Sequence, residues 1–106
     1  MAACVRIRVL GLVALVGCGD RYGRILELEG DRLQGEILYS QDCASCHGDD
    51  GYGGVGASLV ERLPLLSDEE ILEAIETGPG AMTPFEGRYS DQELADLVLY
   101  VTSEFQ

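Results

Sequence analysis

Residues 43–47 read Cys43-Ala44-Ser45-Cys46-His47. Two cysteines separated by two residues, with histidine directly after, form the attachment pattern for c-type haem. Each thiol adds across one vinyl group of the porphyrin, which makes two thioethers. The two-residue gap matches the separation of the vinyls along one haem edge. The adjacent histidine then sits under the ring, where its imidazole can bind the iron axially. Three other chemistries share part of this pattern. A thioredoxin-type redox pair needs a βαβ setting, and no such alternation occurs here. A zinc knuckle needs four Cys/His ligands, whereas the other cysteines, Cys4 and Cys18, stand at the extreme N-terminus. A disulfide between Cys43 and Cys46 would leave His47 without a role.

Upstream, residues 1–18 have the pattern of a processing signal. Arg6 and Arg8 form a short basic region, and Val9 to Val16 is an apolar run broken only by Gly11. That run is too short to span a bilayer, which takes about 20 residues, and it fits a secretory core instead. It ends Leu15-Val16-Gly17-Cys18, which resembles the lipobox of bacterial lipoproteins. The resemblance implies cleavage after residue 17, acylation of Cys18, and anchorage on the periplasmic side of a bacterial membrane. Several acyl chains together hold a protein durably at a bilayer, whereas one holds it weakly. Plain secretion with cleavage nearby, or an uncleaved anchor, are the alternatives. Export is coherent with the Cys-x-x-Cys-His motif, because bacterial c-type haem is attached outside the cytoplasm. The expected organisation is a signal at 1–17, a membrane-proximal linker at 18–30 and one small domain at 31–106. Ile25, Leu26 and Leu28 in the linker are available to pack onto that domain.

The 89 residues left after removal of the first 17 bury a modest core, to which a haem would add. The chain has 19 acidic residues, seven arginines and no lysine. Loss of Arg6 and Arg8 leaves five arginines against 19 carboxylates, a formal charge of −14. Such a charge repels nucleic acid and anionic lipid. It suits docking of redox protein partners through their basic patches, and equally it simply keeps the domain soluble.

Three main helices are predicted. The first runs from about Asp31, as N-cap, to Asp42. Leu33 and Ile37 fall on one face of it, and Gly35 and Tyr39 share another. Gly48 to Gly56 holds five glycines and no helical period, so it reads as a loop. Ser67-Asp68-Glu69-Glu70 is a capping box that opens a second helix with an Ile71, Leu72 and Ile75 stripe, closed by Thr77-Gly78-Pro79. Ser90-Asp91-Gln92-Glu93 repeats the device, and Leu94, Leu97, Val98 and Val101 recur at i, i+3, i+4 and i+7. Between these two helices lies Gly80-Ala81-Met82-Thr83-Pro84-Phe85. An isolated methionine is most often core filler. Met82, however, is the only thioether after Met1, and the chain has no second histidine, no lysine and no asparagine. If His47 takes one axial position, Met82 is the candidate for the other. His/Met ligation raises the haem potential relative to His/His.

Together these features resemble a small class I cytochrome c. Gly35-x-x-x-Tyr39, Cys43-Ala-Ser-Cys46-His47-Gly48, Gly56-Ala57-Ser58-Leu59, the Ser-Asp-Glu-Glu-Ile helix start, Met82-Thr83-Pro84-Phe85 and the last amphipathic helix carry the resemblance, in the family's order, over about residues 31–103. It implies an all-α fold wrapped round one covalent haem c. It also implies a close crossing of first and last helices, where Gly35 and Tyr39 would meet Leu97 and Tyr100. The carbonyl of Ala57, where the family usually has proline, would accept the histidine N–H, and Leu59 would be a haem-wall contact. Thr83 stands where the family often has the first of two prolines. The expected function is one-electron transfer in a respiratory chain, without catalysis. The alternative is a haem-based gas sensor or small haem enzyme with a labile sixth ligand, although a distal histidine is impossible because His47 is the sole histidine.

Overall fold

The computed structural model describes residues 5–9, 11–16 and 20–106. Cys18 and the lipobox residue Gly17 lie outside the described residues. Strands β1 (Val5–Val9) and β2 (Leu12–Val16) pair antiparallel, with Val5 opposite Val16 and Ile7 opposite Ala14. This hairpin falls within the stretch expected as a signal, and from residue 20 onward the described chain is helical.

Six α-helices follow: α1 (Arg21–Glu27), α2 (Arg32–Asp42), α3 (Ala44–His47), α4 (Leu59–Arg62), α5 (Asp68–Thr77) and α6 (Asp91–Phe105), with a 3-10 turn at Leu63–Leu65 between α4 and α5. The caps explain where the long ones begin. Asp31 accepts the Leu33 and Gln34 amides at 3.0 and 3.2 Å. Ser67 with Glu70, and Ser90 with Glu93, close complete capping boxes. Each box satisfies backbone donors that the first helical turn leaves unpaired.

Helix α2 crosses α6 so closely that residue 35 has no room for a side chain. A Cβ on Gly35 would stand 2.1 Å from the Asp96 carbonyl oxygen and 2.7 Å from Tyr100 Cβ. One turn on, Tyr39 packs its ring 5.5 Å from Tyr100 and 5.2 Å from Phe105, centroid to centroid. The sequence reading expected Leu97 and Tyr100 at this crossing. Tyr100 is there, beside Gly35 and Tyr39, but the nearest contact to Gly35 is the Asp96 backbone, and Leu97 lines a cavity to which Tyr39 also contributes. Leu33 and Ile37 point to solvent, so the buried face of α2 is the one carrying Gly35 and Tyr39.

The crossing is tied at its edge by a buried carboxylate. Asp96, 4 % exposed, accepts the Asp31 backbone N–H at 2.7 Å and the Gln92 amide at 2.9 Å. A carboxylate out of water is tolerated when donors surround it. Asp31 therefore caps α2 with its side chain and joins α2 to α6 with its backbone.

The segment 18–30 is not simply a linker. Residues 21–27 form α1, and Ile25 is fully buried. Arg21 reaches the buried Glu76 carboxylate at 2.7 Å and Asp91 at 3.0 Å, which fastens α1 to the end of α5 and the start of α6. Burying Ile25 against those helices holds seven residues in a helix that Gly23 and the short length would not support alone.

Gly35→Ala forces two backbones apart. It is expected to destabilise the protein by roughly 1–3 kcal/mol, as overpacking does. Denaturant unfolding checks this, with the exposed neighbour Gln34→Ala within about 0.5 kcal/mol of the parent.

Candidate haem site

Cys43 closes α2 and opens α3, so the motif occupies a single turn. The Cys43 N–H donates to the Tyr39 carbonyl at 2.9 Å, and the His47 N–H donates to the Cys43 carbonyl at 3.0 Å. That turn leaves carbonyls without helical partners. Glycine amides from the following loop supply the donors: Gly56 N–H to the Cys46 carbonyl and Gly53 N–H to the His47 carbonyl, each at 2.8 Å. Tyr39 Oη donates to the Gly48 carbonyl at 2.6 Å and pins the exit from the turn. The glycine-rich loop is thus the cap of the motif helix.

His47 Nδ1 lies 2.7 Å from the Ala57 carbonyl oxygen. A carbonyl can only accept, so the proton of the neutral ring sits on Nδ1 and the lone pair on Nε2. A fixed tautomer of this kind is how an outer partner orients a metal-ligating histidine. Gly56 permits the approach: a Cβ there would stand 3.1 Å from His47 Cε1 and Nδ1 and 3.0 Å from the Cys46 carbonyl.

Met82 reaches the same space from the loop between α5 and α6. That loop turns on Gly78, whose φ of 62° is left-handed. A Cβ on Gly78 would meet the Met82 carbonyl oxygen at 2.5 Å and Pro84 N at 2.6 Å, so the loop lies folded onto the helix end. The Phe85 N–H donates to the Ile75 carbonyl at 3.0 Å and closes the loop back onto α5. Phe85 stacks on Tyr89 with centroids 5.4 Å apart, and Tyr89 Oη donates to Asp42 Oδ2 at 2.6 Å. The Met82 loop is therefore anchored to the same end of α2 that carries Cys43. Sequence reading missed this brace and the packing role of Gly78, because both connect residues far apart in the chain.

A cavity of about 450 Å³ lies between these parts. Cys43, Cys46, His47 and Met82 all line it, as do the other two residues read from the sequence, Ala57 and Leu59. Leu63, Ile71, Ile75, Leu97 and Val101 complete apolar walls. The size is within the ~300–1,000 Å³ typical of cofactor sites. Cys43 and Cys46 form no disulfide with each other. Burial pushes the Cys43 thiol up to about 12, and the charges of Asp42 and Cys46 add to the shift. Burial also raises the Tyr39 and Tyr89 phenols, helped at Tyr89 by the bond to Asp42, so neither ionises near neutral pH.

Two thiols on one turn, a histidine with a free Nε2, a facing thioether and apolar walls fit a haem held by thioethers. These are the features of a c-type cytochrome. The family model for cytochrome c oxidase, cbb3-type, subunit III matches residues 30–101. A cytochrome c6 from Leptolyngbya boryana is 32 % identical over 76 residues, covering 67 % of this chain and 89 % of its own. Among solved structures, cytochrome c6 from the diatom Phaeodactylum tricornutum superposes with a TM-score of 0.59 at 29 % identity, over 70 % of this chain and 93 % of that one. Cytochrome cL from Hyphomicrobium denitrificans gives 0.61 at 26 % identity over 78 % of this chain, which spans 51 % of that structure. The chain belongs to this class I cytochrome c family. It is an electron carrier, with a covalently bound haem c as its redox group.

Gly56→Ala crowds the His47 ring. The expected result is a loss of about 1 kcal/mol, the low end for overpacking, together with a shifted resonance for the His47 Nδ1 proton in NMR spectra.

Proposed function

We propose that this cytochrome is a lipid-anchored one-electron shuttle of a bacterial respiratory chain, with His47 and Met82 as axial ligands of its single haem. The observation that carries the ligand assignment is the convergence of Cys43, Cys46, His47 and Met82 on one apolar cavity from two separate parts of the chain.

When bound, the haem iron supplies the ferrous/ferric couple. The chain does the rest. His47 Nε2 offers its lone pair, because the Ala57 carbonyl keeps the proton on Nδ1. Met82 offers a soft thioether from a loop braced through Phe85, Tyr89 and Asp42. With His47 and Met82 both held by the iron there would be no place for a substrate on it, so the reading is a carrier and not an enzyme. Leu59, Leu97 and Val101 line the cavity with apolar surface that would keep water from a bound haem and so limit solvent reorganisation as its charge changes.

The membrane part of the reading rests on Cys18. No helix among the described residues is long and apolar enough to cross a membrane. Acylated Cys18, exposed after removal of residues 1–17, would hold the domain on the periplasmic side. The acidic chain suits basic patches on redox partners, and the matching family model, that of an oxidase subunit, makes a terminal oxidase one such partner class.

The ligand assignment is tested by the visible spectrum of the reduced holoprotein before and after carbon monoxide. A low-spin spectrum that ignores the gas is expected; one that shifts moves the reading to a gas sensor or haem enzyme. Met82→Ala should keep the haem attached, open the iron to carbon monoxide and lower the potential, and an unchanged potential would overturn Met82 as ligand. For the anchor, Cys18→Ser is expected to move the protein from the membrane to the soluble fraction of the native host. Retention on the membrane would refute lipidation at that residue.

A further inference from the structure

Arg21 stands in α1, ahead of residues 30–101, the stretch that the family model matches. Its guanidinium is divided between two carboxylates. Nη1 donates to Glu76 Oε1 at 2.7 Å, and Nη2 donates to Asp91 Oδ1 at 3.0 Å. Glu76 belongs to the last turn of α5, and Asp91 is the first residue of α6. Those are the two ends of the connector that carries Met82. One side chain from outside the connector therefore spans its base.

The Glu76 end is also where the connector is tied back. The Glu76 carbonyl accepts the Glu86 N–H at 3.2 Å, beside the bond from the Phe85 N–H to the Ile75 carbonyl. Met82 lies inside the loop that these two bonds close. The Glu76 carboxylate is buried, and a buried carboxylate requires a partner of opposite charge. Arg21 supplies it. Burial raises the Tyr22 phenol, and the neighbouring Glu76 carboxylate adds to the shift, so two successive residues of α1 meet this group. The Asp91 arm is exposed, and cutting it strands no buried charge. The planar guanidinium is what allows the bridge, because its two Nη groups diverge toward separate acceptors.

We propose that Arg21 is a positioning residue for the sixth haem ligand: by bridging Glu76 and Asp91 it holds the two ends of the Met82 connector together and slows release of the thioether from the iron. The lead helix α1 is then a working part of the redox site and not a spacer before it. The inference rests on Met82 as axial ligand. It is tested by mixing ferric holoprotein with imidazole, because at high imidazole the binding rate levels off at the rate at which Met82 leaves the iron. Asp91→Asn cuts the exposed arm and should raise that limiting rate roughly 1.5- to 5-fold, the range of one exposed ion pair. Arg21→Lys should raise it by a similar factor, because a single ammonium cannot bridge both carboxylates. Adding Asp91→Asn to Arg21→Lys should then change little, since both remove the same arm. Asp68→Asn takes a first-turn carboxylate from the far end of α5 and should keep the parent rate. Denaturant unfolding measured beside these rates should move little in Asp91→Asn, which separates a loosened connector from a weakened fold. A parent ferric spectrum without the weak long-wavelength charge-transfer band of thioether-ligated haem would overturn the Met82 reading and the role of Arg21 with it. With that band present, parent limiting rates in both Asp91→Asn and Arg21→Lys overturn the role of Arg21 alone, as does an Asp68→Asn variant accelerated to the same degree.

Discussion

The closeness of α2 to α6 is the constraint on which the rest of the molecule depends. With the Asp96 carbonyl 2.1 Å from where a Cβ on Gly35 would stand, the two helix backbones are in contact. The consequence reaches the site because both helices contribute to it. Helix α2 delivers Cys43 at its C-terminal end, and α6 supplies Leu97 and Val101 to the cavity wall. Separating the helices would move Cys43 away from the wall that Leu97 and Val101 give the cavity. Asp96 serves the contact twice, with its carbonyl against Gly35 and its buried carboxylate holding the Asp31 N–H at the start of α2. Steric closeness and hydrogen-bond satisfaction thus select the same geometry.

The two sides of the haem cavity are built by different means. On the histidine side, backbone groups do the holding: glycine amides cap the motif turn, and the Ala57 carbonyl sets the imidazole tautomer. On the methionine side, side chains do it, through the Phe85–Tyr89 stack and the Tyr89–Asp42 hydrogen bond. Both sides are referred to α2, which carries Tyr39, Asp42 and Cys43.

The lead into the domain alters the picture of a tether. Because α1 is fastened by Arg21 to Glu76 and Asp91 and by the buried Ile25, it moves with the domain. Only Gly19 and Asp20 separate Cys18 from that helix, and two or three residues reach no more than about 10 Å. On the lipid-anchored reading, the domain rides close to the bilayer.

Local chemistry was legible in the chain, and geometry between distant residues was not. The Cys-x-x-Cys-His turn, the two capping boxes, the Asp31 cap and the α6 stripe are decided within a few residues. Spacing and side-chain type specify them without knowledge of the fold. Tertiary structure alone decided that the Asp96 backbone, and not the Leu97 side chain, stands nearest Gly35 beside the expected Tyr100, because a helix register permits several crossing angles. It alone decided that residues 21–27 are helix, because seven residues with an internal glycine need a partner surface to stay folded. It alone brought Arg21 to both ends of the Met82 connector, since charge pairing depends on distances between elements. The sequence by itself determined which groups are candidates to meet the cofactor, because tethering and ligation need particular atoms at particular spacings. Only the packed fold decided how those groups are held and aimed, because that is set by contacts between residues far apart in the chain.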